Sequence, residues 1–426
     1  MSETFKRVPS FDFSLAKAAA QELDEQDILR HKRREFDLPK DIIYLDGNSL
    51  GPVTYAVKKR AVDVVEKQWQ PDLIKSWNTH GWIHLPQQVG AKIAPLIGAE
   101  AANVIACDSI SVNLYKLLCV CLEQQASDVN RTKILTQKGN FPTDGYIAQG
   151  LIQQKPEYTL HFIDEKSILS ALNEDVAVLM LTHVNYKTGD VLDMAAITAE
   201  AHAKGILVIW DLAHTAGILP IKLENWQVDY AVGCGYKYLN GGPGAPAFVY
   251  AARRHHSYIK QPLSGWMGHA APFAFSQDYA AAPGVAAFLC GTPSILSMSV
   301  LDAALEVFSD VDMAHVKDKT LALSEHFLSL WQATGLAQIL PCISPMSAGN
   351  RGGQLAFTHP EAYAICQALI GTGVVGDFRA PNVLRLGFAP FYLSFTDIVA
   401  SVQRLVEIME DSTYLQEQYQ VKQAVT

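Results

Sequence analysis

From about residue 100 to residue 235 the chain alternates between short apolar runs and longer amphipathic stretches. Runs at 103–107, 132–136, 158–163, 176–182 and 206–210 have the length and continuity of buried strands. Stretches at 111–125, 144–154, 167–172 and 194–204 between them carry helical spacing. Further apolar runs at 228–234 and 245–250 add two strands. Continuous apolar strands separated by helices predict an α/β fold, with a mainly parallel sheet flanked by helices on both faces.

The two ends have a different character. Residues 12–33 read as a helix, with Ser14 as its N-cap; 41–46 read as a strand and 47–52 as a turn. A helix is expected from Thr54, with Val57, Ala61, Val64, Val65 and Trp69 on its apolar face. Beyond residue 295, helical segments at 295–309 and 315–333 precede a strand at 353–357, a helix at 360–370 and strands at 374–379 and 383–388. Residues 340–352 are loop-like, and Ser394, with Asp397 three residues on, predicts a capped final helix. The expected organisation is therefore an N-terminal helix and arm over 1–52 that packs with the small domain, a large domain over 53–294 and a smaller C-terminal α+β domain over 295–426.

Composition narrows the class. Of 426 residues, 49% are hydrophobic and 18% charged, which suits a globular protein with a large core. The formal charge of -9 argues against nucleic acid or an anionic membrane as partner. Seven cysteines, an odd number with no C-x-x-C pair, suggest neither a disulfide framework nor a zinc ribbon; Cys119 and Cys121 read as core. The first ten residues lack an apolar signal core and no run approaches the roughly 18 apolar residues of a membrane span, so a cytoplasmic protein is expected.

The candidate chemistry begins at Lys237, which follows the apolar run 228–234 and precedes Gly241-Gly-Pro-Gly244. Asp211 ends the run 206–210. Active sites of α/β sheets lie beyond the carboxyl ends of the strands, so an amine and an acid on different strands can reach one crevice. That is the pair a pyridoxal phosphate enzyme needs: a lysine for the Schiff base and a carboxylate for the pyridine nitrogen. Alternatives remain at this point. Lys237 can be a solvated surface lysine and the glycines a hairpin turn. Asp211 can cap a helix, or pair with His214 as two metal ligands, although no third or fourth ligand is evident and no metal is expected. Phe141, in Phe141-Pro-Thr-Asp144, can cover a flat ligand or fill the core. Asp108-Ser-Ile-Ser-Val-Asn113, between a strand and a helix, suits a phosphate or an ordinary serine N-cap. Gly371-Thr-Gly-Val-Val-Gly376 has the letters of a dinucleotide fingerprint, but a helix precedes it and a strand follows, so a helix end and a tight turn fit better.

Taken together the chain resembles the kynureninase family of fold type I pyridoxal phosphate enzymes. The resemblance runs through Tyr44-Leu-Asp-Gly-Asn-Ser-Leu-Gly51, Asp108-Ser-Ile-Ser-Val-Asn-Leu114, Phe141-Pro-Thr-Asp144, Trp210-Asp-Leu-Ala-His-Thr-Ala-Gly217 and Gly235-Tyr-Lys-Tyr-Leu-Asn240. It continues through Ser264-Gly-Trp-Met-Gly-His269, Cys290-Gly-Thr-Pro293, Asn350-Arg-Gly-Gly-Gln-Leu355 and Val383-Leu-Arg-Leu-Gly387, in the family's order. It implies hydrolysis of kynurenine, and of 3-hydroxykynurenine as the alternative substrate, to anthranilate or its hydroxy form and alanine, within tryptophan catabolism and NAD biosynthesis. Lys237 would be the Schiff-base lysine, Asp211 the partner of the pyridinium nitrogen, and His214 and Phe141 would lie against the ring. Ile110, Ser111 and Tyr236 would hold the phosphate, with Tyr236 also a proton relay. Pro142, Thr143, Asp144 and Thr182 match further cofactor contacts. Trp266 and Thr292 resemble phosphate contacts lent by a second subunit, which implies a homodimer. Arg385 would take the substrate's α-carboxylate, with Ser49 and His80 as further substrate contacts. The family's common Phe-Pro-Ser-Asp is Phe-Pro-Thr-Asp here, and the segment Ser76-Trp-Asn-Thr-His-Gly-Trp82 aligns only loosely. The rival readings are a cysteine desulfurase or aminotransferase, for which Cys342 lacks the expected loop, and a non-catalytic scaffold on the same fold.

Overall fold

The computed structural model of the chain describes residues 11–423. The decapeptide expected to lack a signal core lies outside them. The chain divides into two compact units. The larger comprises Ala56–Tyr186 and Leu192–Glu306; the smaller comprises the chain up to Tyr55, Lys187–Val191 and everything from Val307. The helix Ile295–Ala304 thus groups with the larger unit, so the division falls at 306/307 where 294/295 was expected, and a five-residue excursion at Lys187–Val191 had no signal in the sequence.

The larger unit is built on seven strands: Val104–Ala106, Lys133–Gln137, Thr159–Ile163, Val176–Thr182, Leu207–Asp211, Tyr230–Cys234 and Ala247–Ala251. Taken by position in that series, they lie side by side in the order first, seventh, sixth, fifth, fourth, second, third. Only the seventh runs antiparallel to its neighbours. The mainly parallel α/β sheet expected from the apolar runs is what the chain forms. Every residue of Val176–Thr182 and Leu207–Asp211 is buried, which is why both read as unbroken apolar stretches rather than alternating ones. The helix Ile110–Gln125 packs its Leu114, Leu117, Leu118 and Cys121 into the core below the sheet.

One buried polar cluster closes the sheet at the end opposite Lys237. Asp229, immediately before the strand Tyr230–Cys234, is almost fully buried. It accepts from Val208 N at 2.9 Å and Arg254 Nη2 at 2.6 Å, and faces His202 Nε2 at 2.8 Å and His255 Nε2 at 2.7 Å. Burial alone would raise its pKa, but the two histidine contacts and the Val208 amide outweigh it and hold the carboxyl well below its ordinary range.

The smaller unit pairs a three-stranded antiparallel sheet, Asp377–Arg379, Val383–Gly387 and Gln354–Thr358, with the helices Met313–Ala333, Ala362–Gly371 and Phe395–Glu410. The expected strand at 374–379 is broken in two: Val374–Val375 pairs instead with Ile43–Tyr44, the short core of the strand expected at 41–46. The final helix has its capping box, with Asp397 N on Ser394 Oγ at 3.1 Å and Ser394 N on Asp397 Oδ2 at 2.9 Å. The glycines of 371–376 end a helix and turn the chain, with φ +85° at Gly373, and form no nucleotide loop. Two further sequence expectations fail. The first helix is Phe13–Gln26, and its cap is Asp12, whose carboxylate accepts Ser14 N at 2.8 Å; a short acceptor one residue before the helix outcompetes Ser14 inside it. The helix from Tyr55 widens to a π-turn at Val64–Trp69, which rotates Val65 and Trp69 into solvent while Val57 and Val64 stay buried. Among the described residues no helix is long and apolar enough to cross a membrane.

Removing the Asp229 carboxylate leaves buried His255 Nε2 without that partner and the Val208 amide without its acceptor. Asp229→Ala should lose about 3–5 kcal/mol of stability at pH 7 in chemical denaturation. The folded-state pKa is depressed, so the contribution is complete above the unfolded value near 4 and is lost as pH falls below it. The gap between variant and wild type should accordingly shrink in acid.

Candidate active site

The crevice at the carboxyl ends of the central strands is lined by residues from six separate stretches of the larger unit. Asp211 is the last residue of its strand, paired directly with Thr182, the last residue of the neighbouring one. Thr182 N donates to Gln137 Oε1 at 3.0 Å, so the end of a third strand fixes the second. Lys237 lies three residues past the strand Tyr230–Cys234, in a bend closed by Asn240 N on Lys237 O at 2.9 Å and Gly241 N on Gly235 O at 2.8 Å. A Cβ on Gly235 would sit 2.5 Å from Pro246 O, so that bend requires glycine. The glycine-rich stretch does serve the hairpin between the strands Tyr230–Cys234 and Ala247–Ala251, and the same hairpin carries Lys237 into the crevice.

Lys237 Nζ is 2.9 Å from His214 Nε2 and 5.8 Å from the centre of the Tyr236 ring. Asp211 Oδ1 accepts Ala213 N at 2.6 Å, which fixes the carboxylate and turns the chain so that His214 points back to the lysine. Asp144 sits in the first turn of the helix Pro142–Ile152 and receives Asn140 Nδ2 at 3.1 Å; its Oδ1 is buried with no hydrogen-bond partner. Burial first, and then Asp211, push Asp144 well above the usual carboxylate range. Burial likewise raises Asp211, against the pull of the Ala213 amide and Lys237. Burial and the neighbouring Asp211 both favour the protonated form of Asp144.

Phe141 precedes the same helix and is half exposed over the crevice, edge-on to Tyr186 with ring centres 5.4 Å apart. Across from it the sixteen-residue helix Ile110–Gln125 begins, with Ser109 as N-cap accepting Val112 N at 3.4 Å. Its first amides and the hydroxyls of Ser109 and Ser111 make an anion cradle. The turn before it is held by Asp108, a non-glycine residue at φ +47°. Fully buried Lys116 donates to Asp108 Oδ2 and to Phe288 O, each at 2.5 Å.

Ten of the residues singled out from the sequence line this one crevice: Ile110, Ser111, Phe141, Thr143, Asp144, Thr182, Asp211, His214, Tyr236 and Lys237. Pro142 opens the helix beside it without lining it. Thr292 lines a neighbouring cavity with Asp108 and Cys290, and Trp266 is partly exposed, edge-on to Phe273 at 5.7 Å. His80 is held by Asp72, Nε2 to Oδ2, at 2.8 Å. Ser49 and Arg385 belong to the smaller unit, where Ser49 Oγ donates to Asp377 Oδ2 at 2.7 Å. Arg385, buried on the strand directly opposite Asp377, donates from Nε to Asp377 Oδ1 at 2.9 Å, from Nη2 to Asp377 Oδ2, and from Nη2 to Ser49 Oγ at 3.0 Å. Tyr186, Asn140 and Gln137 were not anticipated. Tyr186 lies in a segment without motif, and the other two act through Thr182, which only the folded sheet brings near them, with Asn140 also bonded to Asp144 four residues on.

The crevice fits a flat, anionic, nitrogen heterocycle. Asp144 Oδ1 is buried with no partner in the crevice, the acid pair suits a protonated ring nitrogen, the helix start suits a phosphate and Lys237 suits an aldehyde. Cys342, by contrast, is a thiol that burial pushes up and so is poorly suited to nucleophilic attack.

Comparisons with known proteins agree. Residues 316–405 match the family model described as the kynureninase C-terminal domain. A kynureninase of Burkholderia pseudomallei strain 1106a is 46% identical over 407 residues, covering 95% of this chain and 98% of its own length. One from Pseudomonas fluorescens gives the same identity and coverage. Among solved structures, an apo cysteine desulfurase from Thermococcus onnurineus NA1 superposes with a TM-score of 0.74 at 16% identity, over 90% of this chain and 97% of that one. A C-DES mutant with glycine covalently linked to its PLP cofactor gives 0.74 at 18% identity, over 88% and 99%. These two likenesses concern the fold.

If Asp144 already carries a proton, Asn is its isostere. Its raised folded-state pKa means that stability falls as pH rises above the unfolded value near 4. Without cofactor, Asp144→Asn should therefore melt higher than wild type, by a margin that widens from pH 4 to pH 8. Parallel melting curves would show that Asp144 is ionised.

Proposed function

The chain belongs to the kynureninase family, and from that membership we propose a role for each side chain of the crevice. The reaction is the hydrolysis of kynurenine to anthranilate and alanine, with pyridoxal 5'-phosphate as cofactor. When bound, that cofactor supplies an electron sink for charge developed on the carbons next to the substrate's amine. The observation that carries the assignment of roles is the convergence of Lys237, His214, Asp211 and Asp144 at one strand-end crevice.

Lys237 is the residue that holds the cofactor covalently and moves the proton at the substrate's α-carbon. Its support is its place beyond the strand end, with His214 2.9 Å from Nζ to orient the amine. Asp211 keeps the ring nitrogen protonated, and the proton on Asp144 lets it donate to the cofactor without adding a second negative charge. Phe141 covers the ring face and excludes water. The Ile110 amide, the Ser111 hydroxyl and Tyr236 take the phosphate, and Tyr236, adjacent to Lys237 and near this anion, relays protons between them. Thr182, tied to Asn140 and Gln137, fixes the acid pair. Arg385 takes the substrate's α-carboxylate by its planar fork. Asp377 and Ser49 lock that fork in advance. His80 is retained as a substrate contact on the resemblance alone.

Trp266 and Thr292 are proposed to complete a phosphate site across a homodimer. Trp266, Phe273 and Phe275 form an exposed aromatic chain, with ring centres 5.7 and 6.5 Å apart, of the kind that marks an interface.

Protein, pyridoxal phosphate and kynurenine together should release anthranilate and alanine in equal amounts. Lys237→Ala should lower kcat by at least about two to four decades. Borohydride reduction followed by peptide mapping should place the label on Lys237. A label elsewhere, or full activity in Lys237→Ala, would remove the assignment. Arg385→Gln should raise KM for kynurenine more than it lowers kcat.

A further inference from the structure

The surroundings of Arg385 hold one acid more than the salt bridges use. Asp377 receives both Arg385 and Arg379, the latter from Nη2 at 2.7 Å, and Arg379 Nη2 also reaches Ser49 Oγ at 3.2 Å. Asn48, with its amide oxygen toward Arg385, accepts from Nε at 2.9 Å and Nη2 at 3.2 Å. Two guanidinium groups against one carboxylate leave a single positive charge. The remaining acid is Asp46, at the head of the turn closed by Ser49 N and Leu50 N on its carbonyl at 2.9 and 3.1 Å. Its Oδ1 is buried with no hydrogen-bond partner. This turn is tightly packed: a Cβ on Gly47 would fall 2.1 Å from the Tyr392 hydroxyl.

An ionised Asp46 would cancel the last positive charge and leave nothing to attract a carboxylate. A protonated Asp46 leaves the cluster at plus one, which an incoming α-carboxylate neutralises. We propose that Asp46 is a positioning residue that sets the charge of the Arg385 cluster, carrying a proton while the substrate's carboxylate is bound and driving that carboxylate off when the proton is lost. The inference rests on the reading of Arg385 as the carboxylate ligand. The other titratable groups facing Asp46 do not change the count. Burial, then Asp46 and Asp377, hold Tyr44 neutral, and burial with the same two acids keeps Cys366 a thiol. Asp377 stays ionised, because Arg385 and Arg379 outweigh its burial. Asp46 itself is pushed up to about 7, by burial first and then by Asp377, against the Ser49 hydroxyl and the two arginines.

The test uses holoenzyme and 4-(2-aminophenyl)-4-oxobutanoate, which keeps the carboxylate and aryl ketone of kynurenine and lacks the titrating α-amine. In wild type its inhibition constant should rise above pH 7, approaching about tenfold per pH unit, as loss of one linked proton requires. In Asp46→Asn, the isostere of the protonated acid, the constant at pH 8.5 should return to near the wild-type value at pH 6. Arg385→Gln should weaken binding at every pH. If Arg385→Gln changes nothing, the carboxylate reading fails and this inference with it. If Arg385→Gln weakens binding but Asp46→Asn keeps the wild-type slope, only the inference about Asp46 is overturned. Calorimetry of wild type at pH 8 in buffers of different ionisation enthalpy adds a measurement that needs no variant to fold. Uptake approaching one proton per bound inhibitor is expected, and no uptake would overturn the proposal.

Discussion

Two carboxyl groups buried side by side, Asp144 and Asp211, are the constraint around which the larger unit is arranged. Neither would be tolerated alone at that depth without a partner. Asp211 is fixed by the Ala213 amide and by its strand pairing with Thr182, and Asp144 is fixed by its helix and by Asn140. The cost of this crowding is offset by Lys237 beside both acids, by the Ala213 amide at Asp211 and by Asn140 at Asp144. The sheet places Asp211 at a strand end, the helix Pro142–Ile152 brings Asp144 beside it, and the hairpin glycines let Lys237 approach both.

The smaller unit solves a similar problem with opposite signs. There two arginines crowd one aspartate on facing strands, and Asp46 stands by as a second acid. In both places a pair of like charges is held close, and a proton is what decides whether the site is ready for its ligand. The specificity of each site lies less in any single contact than in the net charge of a dry cluster.

Much of this was legible in the chain. Unbroken apolar runs ending in Thr182 and Asp211 gave the parallel strands and their polar tips, because burial on both faces leaves no alternation to misread. Lys237 and Asp211 could be joined because active sites of such sheets gather at one edge. What was not legible depends on distance in sequence. Nothing near Asp144 says that it will meet Asp211, nor near Arg385 that Asp377 will lie opposite it after a tight turn. The exposure of Val65 and Trp69 was missed because a π-turn slips the helical register, which an apolar count at 3.6 spacing cannot see. Lys187–Val191 was missed because so short an excursion has no composition of its own.

Lys116 ties together two segments that otherwise share no strand. Its ammonium grips the turn that precedes the Ile110 helix and, through the Phe288 carbonyl, the stretch leading to Thr292. One ammonium therefore sets the distance between the start of that helix and the stretch that follows Phe288, and its loss would let both drift at once.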